Sequence, residues 1–422
     1  MKILLTISSL LLSTAMLLIG HGMQLTVLPL RAAANGMPDS DIGLTASAYF
    51  FGFIIGCLYV PGLIARVGHI RVFAVLTAIL ASSILLLELI DSWLIWMLLR
   101  CCTGIAICGI YTVIESWLNT TTSPTNRGQI LSVYTFIVLG SMAAGQLLVN
   151  VGPINTSIPF IVAVLFLVLA IIPIGLTRSL APNPVEPAHP SFALLYKKSH
   201  SAFAGALVSG LIAGSFWSLG AVFVSFYSDT QLQVTWLMTA TIAGGALLQY
   251  PIGYLSDKVD RRIVMALLCL CGAISSVLVA LYAATWAAPL VLFLFGATIM
   301  PIYAIALATA ADVSEPDEFV QMGTSVLLLN AVGAVIAPLF IGQLMSLWEP
   351  SALFWSAAVL AIIFAAYIFA QLGHSRSVTV EDQTPFNAAA SMAPTSFDMD
   401  PRAQEEPADE EDIPPHNGAI LP

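Results

Sequence analysis

The sequence predicts an all-α membrane protein of twelve transmembrane helices in two parallel six-helix repeats, with both termini on the inner side. Three observations carry this. Of 422 residues, 58% are hydrophobic and 9% are charged, against roughly 25% charged in a soluble globular chain, so a water-soluble fold has no means of hiding the apolar surface. Apolar runs of about 20 residues, enough to cross a hydrocarbon core of roughly 30 Å as a helix, recur as far as Leu372. Landmarks also return at a constant spacing of 192 residues: Pro61-Gly62-Leu63 falls on Gly253-Tyr254-Leu255, Arg66 on Lys258, Gly104 on Gly296, Tyr111 on Tyr303 and Pro124 on Pro316. An even number of spans returns the second copy to the same side, so the repeats are parallel and enclose a path that opens alternately to each face.

The first helix is expected over 4–30. Its apolar stretch runs from Ile3 to Leu30 with no A-x-A site behind a short run, which argues against a secretory signal peptide. His21 and Gln24 lie one turn apart and share a face; both are expected to line a central cavity, with His21 a candidate proton-coupling group. The second helix, 43–65, adds Tyr49 to that lining. The third covers 71–90 and the fourth 93–115. Arg100 lies well inside the fourth, where a charge costs a few kcal/mol on insertion scales, so it must face a polar cavity or a partner. Its repeat mate is Leu292. Symmetry therefore does not demand a charge, and Arg100 is read as binding an anionic or carbonyl-bearing group or coupling to a proton. Glu115 is expected at the cytoplasmic end of the same helix. The fifth helix, 129–151, contributes Gln146, and the sixth spans 157–177.

The stretch 178–199, with Pro182, Pro184, Pro187 and Pro190, reads as a linker between a first bundle at 1–177 and a second at 200–372. The second bundle's helices are expected over 201–227, 232–254, 263–284, 287–310, 322–346 and 350–372. Trp217, Gln249, Tyr250, Tyr303 and Asn330 are its polar or aromatic cavity candidates. The six cysteines fall inside apolar runs and read as small packing residues, without a C-x-x-C pair of the zinc-binding kind.

Orientation follows from lysine and arginine, which accumulate on the cytoplasmic side. With both termini inside, Lys2, Arg66, Arg71, Arg127, Arg178, Lys197, Lys198, Lys258, Arg261, Arg262, Arg376 and Arg402 are cytoplasmic, and Arg31 alone lies outside. The net charge of −10 is uneven: residues 373–422 hold ten acids and two arginines, among them Glu405, Glu406, Asp409, Glu410, Glu411 and Asp412. That composition is expected to form a disordered acidic cytoplasmic tail.

The loop Gly253-Tyr254-Leu255-Ser256-Asp257-Lys258-Val259-Asp260-Arg261-Arg262 resembles the G-x-L-a-D-[RK]-x-G-[RK]-[RK] loop of the major facilitator superfamily, departing at Asp260. It reads as a latch: Gly253 for close approach, Asp257 facing a helix terminus, and Lys258, Arg261 and Arg262 pairing with acids. The first-half counterpart keeps Arg66, Gly68 and Arg71 but has Ala65 in place of the carboxylate, and Glu115 is expected to supply the missing charge to Arg66 or Arg71. Arg100-Cys101-Cys102-Thr103-Gly104 is similar to the R-x-x-x-G pattern of the same superfamily. Val113-Ile114-Glu115-Ser116-Trp117-Leu118, Asn126-Arg127-Gly128, Gly145-Gln146-Leu147-Leu148-Val149 and Pro251 to Lys258 further resemble its YcaD-like branch. The resemblance covers the membrane region and implies a bacterial inner-membrane transporter with the major facilitator fold.

Two features of some relatives are missing. The fifth helix has Gly140-Ser141-Met142-Ala143-Ala144-Gly145-Gln146 where many drug/proton antiporters have G-x-x-x-G-P-x-x-G-G, and no carboxylate is expected mid-helix. The expected partners are a small solute, the lipid bilayer and, as candidate coupling ion, protons; no nucleic acid and no cofactor is implied. Export of a metabolite or drug-like compound is the favoured direction, with nutrient uptake or a transport-free solute receptor as alternatives. An intramembrane enzyme is disfavoured, since the sequence has no HExxH, no GxSxG and no intramembrane aspartate pair; it also has no GxxxxGK[ST] loop for ATP.

Overall fold

Every expected apolar run is helical in the computed structural model of the chain, which describes residues 2–90, 92–121, 127–176, 189–315, 318–372, 383 and 386. In the first half these are α1 (Lys2–Ala34), α2 (Asp39–Val67), α3 (His69–Leu89), α4 (Trp93–Thr121), α5 (Arg127–Leu148) with a 3-10 turn at Val149–Val151, and α6 (Ile158–Leu169) continued by α7 (Ile171–Gly175). A short α8 (Phe192–Lys198) follows, then α9 (His200–Phe226), α10 (Gln231–Ser256), α11 (Arg261–Tyr282), α12 (Ala288–Ala311), α13 (Phe319–Leu347) and α14 (Ala352–Leu372). Pro124, Pro316, Arg178 and the acidic stretch from Glu405 lie outside the described residues.

Eleven of these segments are long and apolar enough to cross a membrane. The run expected as the eighth span is helical as α10, 26 residues long. Its glutamines, threonines and glycines leave it less apolar than those eleven.

Local chemistry explains the boundaries. The α6–α7 interruption at Ala170 precedes Pro173, which has no N–H for the carbonyl four residues earlier and crowds the preceding turn. Ser191, Ser199 and Asp260 cap α8, α9 and α11 through their side-chain oxygens, and Thr230 forms a capping box with Gln233 at α10. Gly68 alone separates α2 from α3, at φ 91° and ψ 156°, a region essentially reserved for glycine. Gly68, expected in a latch, is therefore the turn that lets two antiparallel helices follow each other with one residue between them.

The repeat is visible in packing. A Cβ on Gly52 would lie 2.0 Å from the Cys101 carbonyl, and one on Gly104 would lie 1.9 Å from that of Tyr49. In the second half Gly244 meets the Phe293 carbonyl at 2.0 Å and Gly296 that of Thr241 at 1.9 Å. The spacing of 192 residues thus superimposes the α2–α4 contact on the α10–α12 contact. The contact of α1 with α5 repeats in α9 with α13 at 188 instead: Gly22 and Gly145 correspond to Gly210 and Gly333, each against a backbone carbonyl. The difference of four residues is about one helical turn, which leaves the same face inward.

The bundle has two distinguishable ends. At one, Arg31 pairs with Glu88 at 2.9 Å and donates to the Ile154 carbonyl at 3.1 Å. The two halves join here. Asn150 Nδ2 donates to Thr235 Oγ1 at 2.7 Å, Gln231 bridges Val149 O, Gly152 O and Ile154 N at 2.8, 3.0 and 2.9 Å, and Ser40 N donates to Ser346 Oγ at 3.0 Å. Gly43 and Gly342 allow α2 and α13 to touch, a Cβ there falling 2.3 Å from the Pro338 carbonyl and 2.6 Å from that of Asp39.

At the other end, marked by Asp257, the segment expected as a free linker is partly structured. His189 O accepts from Gln321 at 2.7 Å, Ser191 N donates to Ser325 Oγ at 2.8 Å, and Lys198 pairs with Glu318 and, at 3.5 Å, with Glu315. These bonds fasten α8 to the second half. The Glu318 partner raises the Lys198 ammonium above its usual value, and Lys198 holds the Glu318 carboxyl below its own.

Candidate functional site

Arg100 lies in the third turn of α4, at 7% exposure. The α2–α4 glycine contact brings Tyr49 beneath it: the guanidinium carbon stands 4.5 Å over the Tyr49 ring. His21 stacks on the same ring at 6.3 Å between centroids, and Gln24 follows one turn on. These four candidates, drawn from α1, α2 and α4, form one group. Several of its polar atoms are buried without a hydrogen bond of normal geometry: both ring nitrogens of His21, both amide atoms of Gln24 beside it, the Tyr49 hydroxyl and Arg100 Nη1. Buried donors and acceptors left in that state cost about 1–3 kcal/mol each.

Of the four, Arg100 alone reaches a narrow cavity. Arg100 lines it with Trp96 from its own helix, Thr45 from α2, Leu28 from α1, and Trp217 and Ser218 from α9. Trp217 is thus placed against Arg100 from the opposite half, and the cavity is shared between halves. Trp96 was not among the residues expected at the site. Its indole donates to the Ile90 carbonyl at 2.8 Å, which fixes an aromatic wall beside the guanidinium.

Two other candidates have structural partners. Gln146 donates to the Gly22 carbonyl at 2.9 Å and accepts from Thr26, strapping α5 to α1. Asn330 donates to the Ala206 carbonyl at 3.3 Å and does the same for α13 and α9. Tyr250 is 77% exposed and stands apart from the Arg100 group. Gln249 is buried.

A second polar region lies further along α4. This helix continues to Thr121, so Glu115, expected at its end, is inside it and fully buried. Its carboxylate accepts from the Tyr134 hydroxyl at 2.7 Å. Tyr111 and Tyr303, the repeat-related pair, stand within electrostatic range of it, and both hydroxyls are buried without a partner. Arg66 and Arg71 are exposed, and neither appears among the ion pairs of the described residues. The expected first-half latch through Glu115 is replaced by another contact. His69 Nε2 and Ser116 Oγ lie 3.0 Å apart, joining the start of α3 to α4. His69 is the repeat mate of Arg261, which in the second half joins the start of α11 to Asp257 at 2.9 Å and to Asp312, the α12 C-cap, at 3.4 Å. The two halves fasten equivalent helices with different chemistry. A comparison at the 192-residue spacing finds His69.

The rest of the second-half loop departs from the expected pairing with neighbouring helix ends. Arg262 pairs at 2.7 Å with Asp260, the cap of its own helix, and Lys258 stands 4.2 Å over the Tyr254 ring instead of on an acid. The atoms nearest to a Cβ at Gly253 belong to the ring of Phe386.

Comparison with known proteins agrees with this architecture. The family model of the Major Facilitator Superfamily matches residues 10–231 and again 202–397. The chain is 28% identical over 357 residues to the MFS-type transporter YcaD of Escherichia fergusonii, covering 83% of this chain and 91% of the relative. It is 26% identical over 354 residues to the YcaD of Salmonella arizonae, with the same coverage. Among solved structures, the nucleoside transporter NupG superimposes with a TM-score of 0.75 at 13% identity, over 88% of this chain and 100% of that one. A bacterial homolog of the human lysosomal transporter Spinster, inward-facing and occupied, gives 0.71 at 15% identity over 90% and 97%. The duplicated helical bundle and the twofold match of the family model have one explanation: the chain belongs to the major facilitator superfamily and is a multi-pass membrane transporter resembling its YcaD-like branch.

Proposed function

We propose that the protein moves a small anionic or carbonyl-bearing solute with an aromatic or apolar body across a bacterial inner membrane by alternating access, and that the Arg100 group is its binding site. One observation carries this reading: a buried guanidinium with a free N–H faces a cavity walled by Trp96 and Trp217, with the buried polar groups of Tyr49, His21 and Gln24 packed behind it. An isolated charge at membrane depth is unfavourable. A bound anion supplies the missing countercharge and the missing acceptors together, while the aromatic walls take the apolar part. Glu115 with Tyr111, Tyr134 and Tyr303 is the second polar station of the path, and protons are its candidate cargo.

Twelve spans with both termini cytoplasmic fit the placement of lysine and arginine. On that reading the Arg31 end is external and closed, and the Asp257 end faces the cytoplasm. The test is a thermal-stabilisation screen using matched pairs of carboxylates and their uncharged amides. A carboxylate at about a hundred times its Kd should stabilise the folded protein by about 2.7 kcal/mol, and its amide by much less. The Arg100→Gln variant should lose that preference by tenfold or more in affinity. If carboxylate and amide bind the variant as they bind the parent, Arg100 does not recognise the solute.

A further inference from the structure

The described residues include two in the segment that follows α14, and one of them, Phe386, is held at the Asp257 end of the bundle. Its backbone N–H donates to both carboxylate oxygens of Asp257, at 2.9 and 3.1 Å. Its ring packs onto the hydrophobic core at Gly253, one helical turn before Asp257. A Cβ at position 253 would lie 2.1, 2.3 and 2.7 Å from three ring atoms of Phe386, and these are the three atoms nearest to it. The slot exists because residue 253 has no side chain. Gly253 sits inside α10, where glycine is worse than alanine by about 1 kcal/mol, and no other atom stands closer to the position an alanine methyl would take.

We propose that Gly253 and Asp257 form a docking site for the C-terminal segment of the same chain, with the Phe386 ring in the slot and its amide on the carboxylate. The occupant is within reach, since fourteen residues after Leu372 span up to about 50 Å when extended. The location makes the contact consequential. Asp257 also holds Arg261, which in turn holds Asp312, so a seated tail braces the junction of α10, α11 and α12. A donor from the first half that approaches Asp257 as this end closes meets the two bonds that Phe386 already makes to its carboxylate. The segment is therefore an internal competitor that favours the state open at the Asp257 end.

Hydrogen exchange on the full-length protein tests this, with Gly253→Ala and Phe386→Ala as parallel variants. The peptide containing Phe386 should be protected at least tenfold over free chain in the parent and exchange as free chain in both variants. Gly253→Ala should leave the thermal midpoint equal or higher, because the methyl displaces only the tail. Spin labels at Val67 and Leu255, exposed positions at this end, should move to shorter distances in Phe386→Ala. An unprotected peptide in the parent, or protection that survives Gly253→Ala, overturns the docking site. A distance unchanged when protection is lost overturns the competition.

Discussion

At the scale of single residues, the protein is governed by a few groups whose surroundings contradict their solitary chemistry. Arg100 was legible in the sequence, because a guanidinium among apolar neighbours without a repeat mate has to have a use. Gln146 and Asn330 were equally visible as polar residues in apolar helices, yet they bond backbone carbonyls of neighbouring helices. Residue type cannot separate these outcomes, since either placement relieves the same desolvation cost. Only the facing helix decides, and its register is not local information. Gly68 gives a prediction at this scale. Its backbone conformation is one that side chains rarely adopt, so Gly68→Ala should destabilise the protein by about 1–3 kcal/mol, measured by chemical or thermal unfolding in detergent. Gly62, with open space around its Cβ position, is the control and should tolerate alanine.

At the scale of elements, helices pair through glycines set against carbonyl oxygens, and their ends are fastened by polar contacts. The apolar runs made the helices themselves readable. The latch of the first half was not, because the apolar run stops near Glu115 while α4 extends a further turn and more to Thr121. The two latches differ in a measurable way. His69→Ala removes a buried neutral hydrogen bond and should cost about 1–3 kcal/mol. Arg261→Ala takes the guanidinium away from Asp312, whose side chain is 4% exposed, and should cost about 3–5 kcal/mol. Equal losses in unfolding experiments would mean that the two contacts do not differ as a neutral hydrogen bond and a buried ion pair should. The strap of α8 onto α13 has its own pH window. Glu318 is held below its usual pKa and Lys198 above its own. The pair therefore contributes in full between about pH 4.3 and about pH 10.4, the ordinary values of the two groups. The contribution is lost as pH falls through the depressed Glu318 value or rises through the raised Lys198 value. Exchange protection of peptides covering 189–198 should follow that window, and Glu318→Gln should remove its acid limb.

At the scale of the whole molecule, the sequence spacing of 192 residues captured the duplication of α2 and α4 but not the four-residue shift of α1 and α5, which packing alone reveals. Each half is a set of glycine-packed helices, and the halves meet through hydrogen bonds at the Arg31 end. In the proposed alternating access, rocking breaks those bonds and brings the halves together at the Asp257 end. Gly43→Leu offers a direct trial, because its side chain cannot fit where a Cβ already falls 2.3 Å from the Pro338 carbonyl. Double electron–electron resonance is the decisive measurement, in a background with the six native cysteines replaced, using labels at Leu89 and Trp286 for the Arg31 end and at Val67 and Leu255 for the other. Alternating access predicts that Gly43→Leu lengthens the first distance and shortens the second. If both distances stay as in the parent, or both lengthen together, the halves do not rock about the Arg100 site and the account fails.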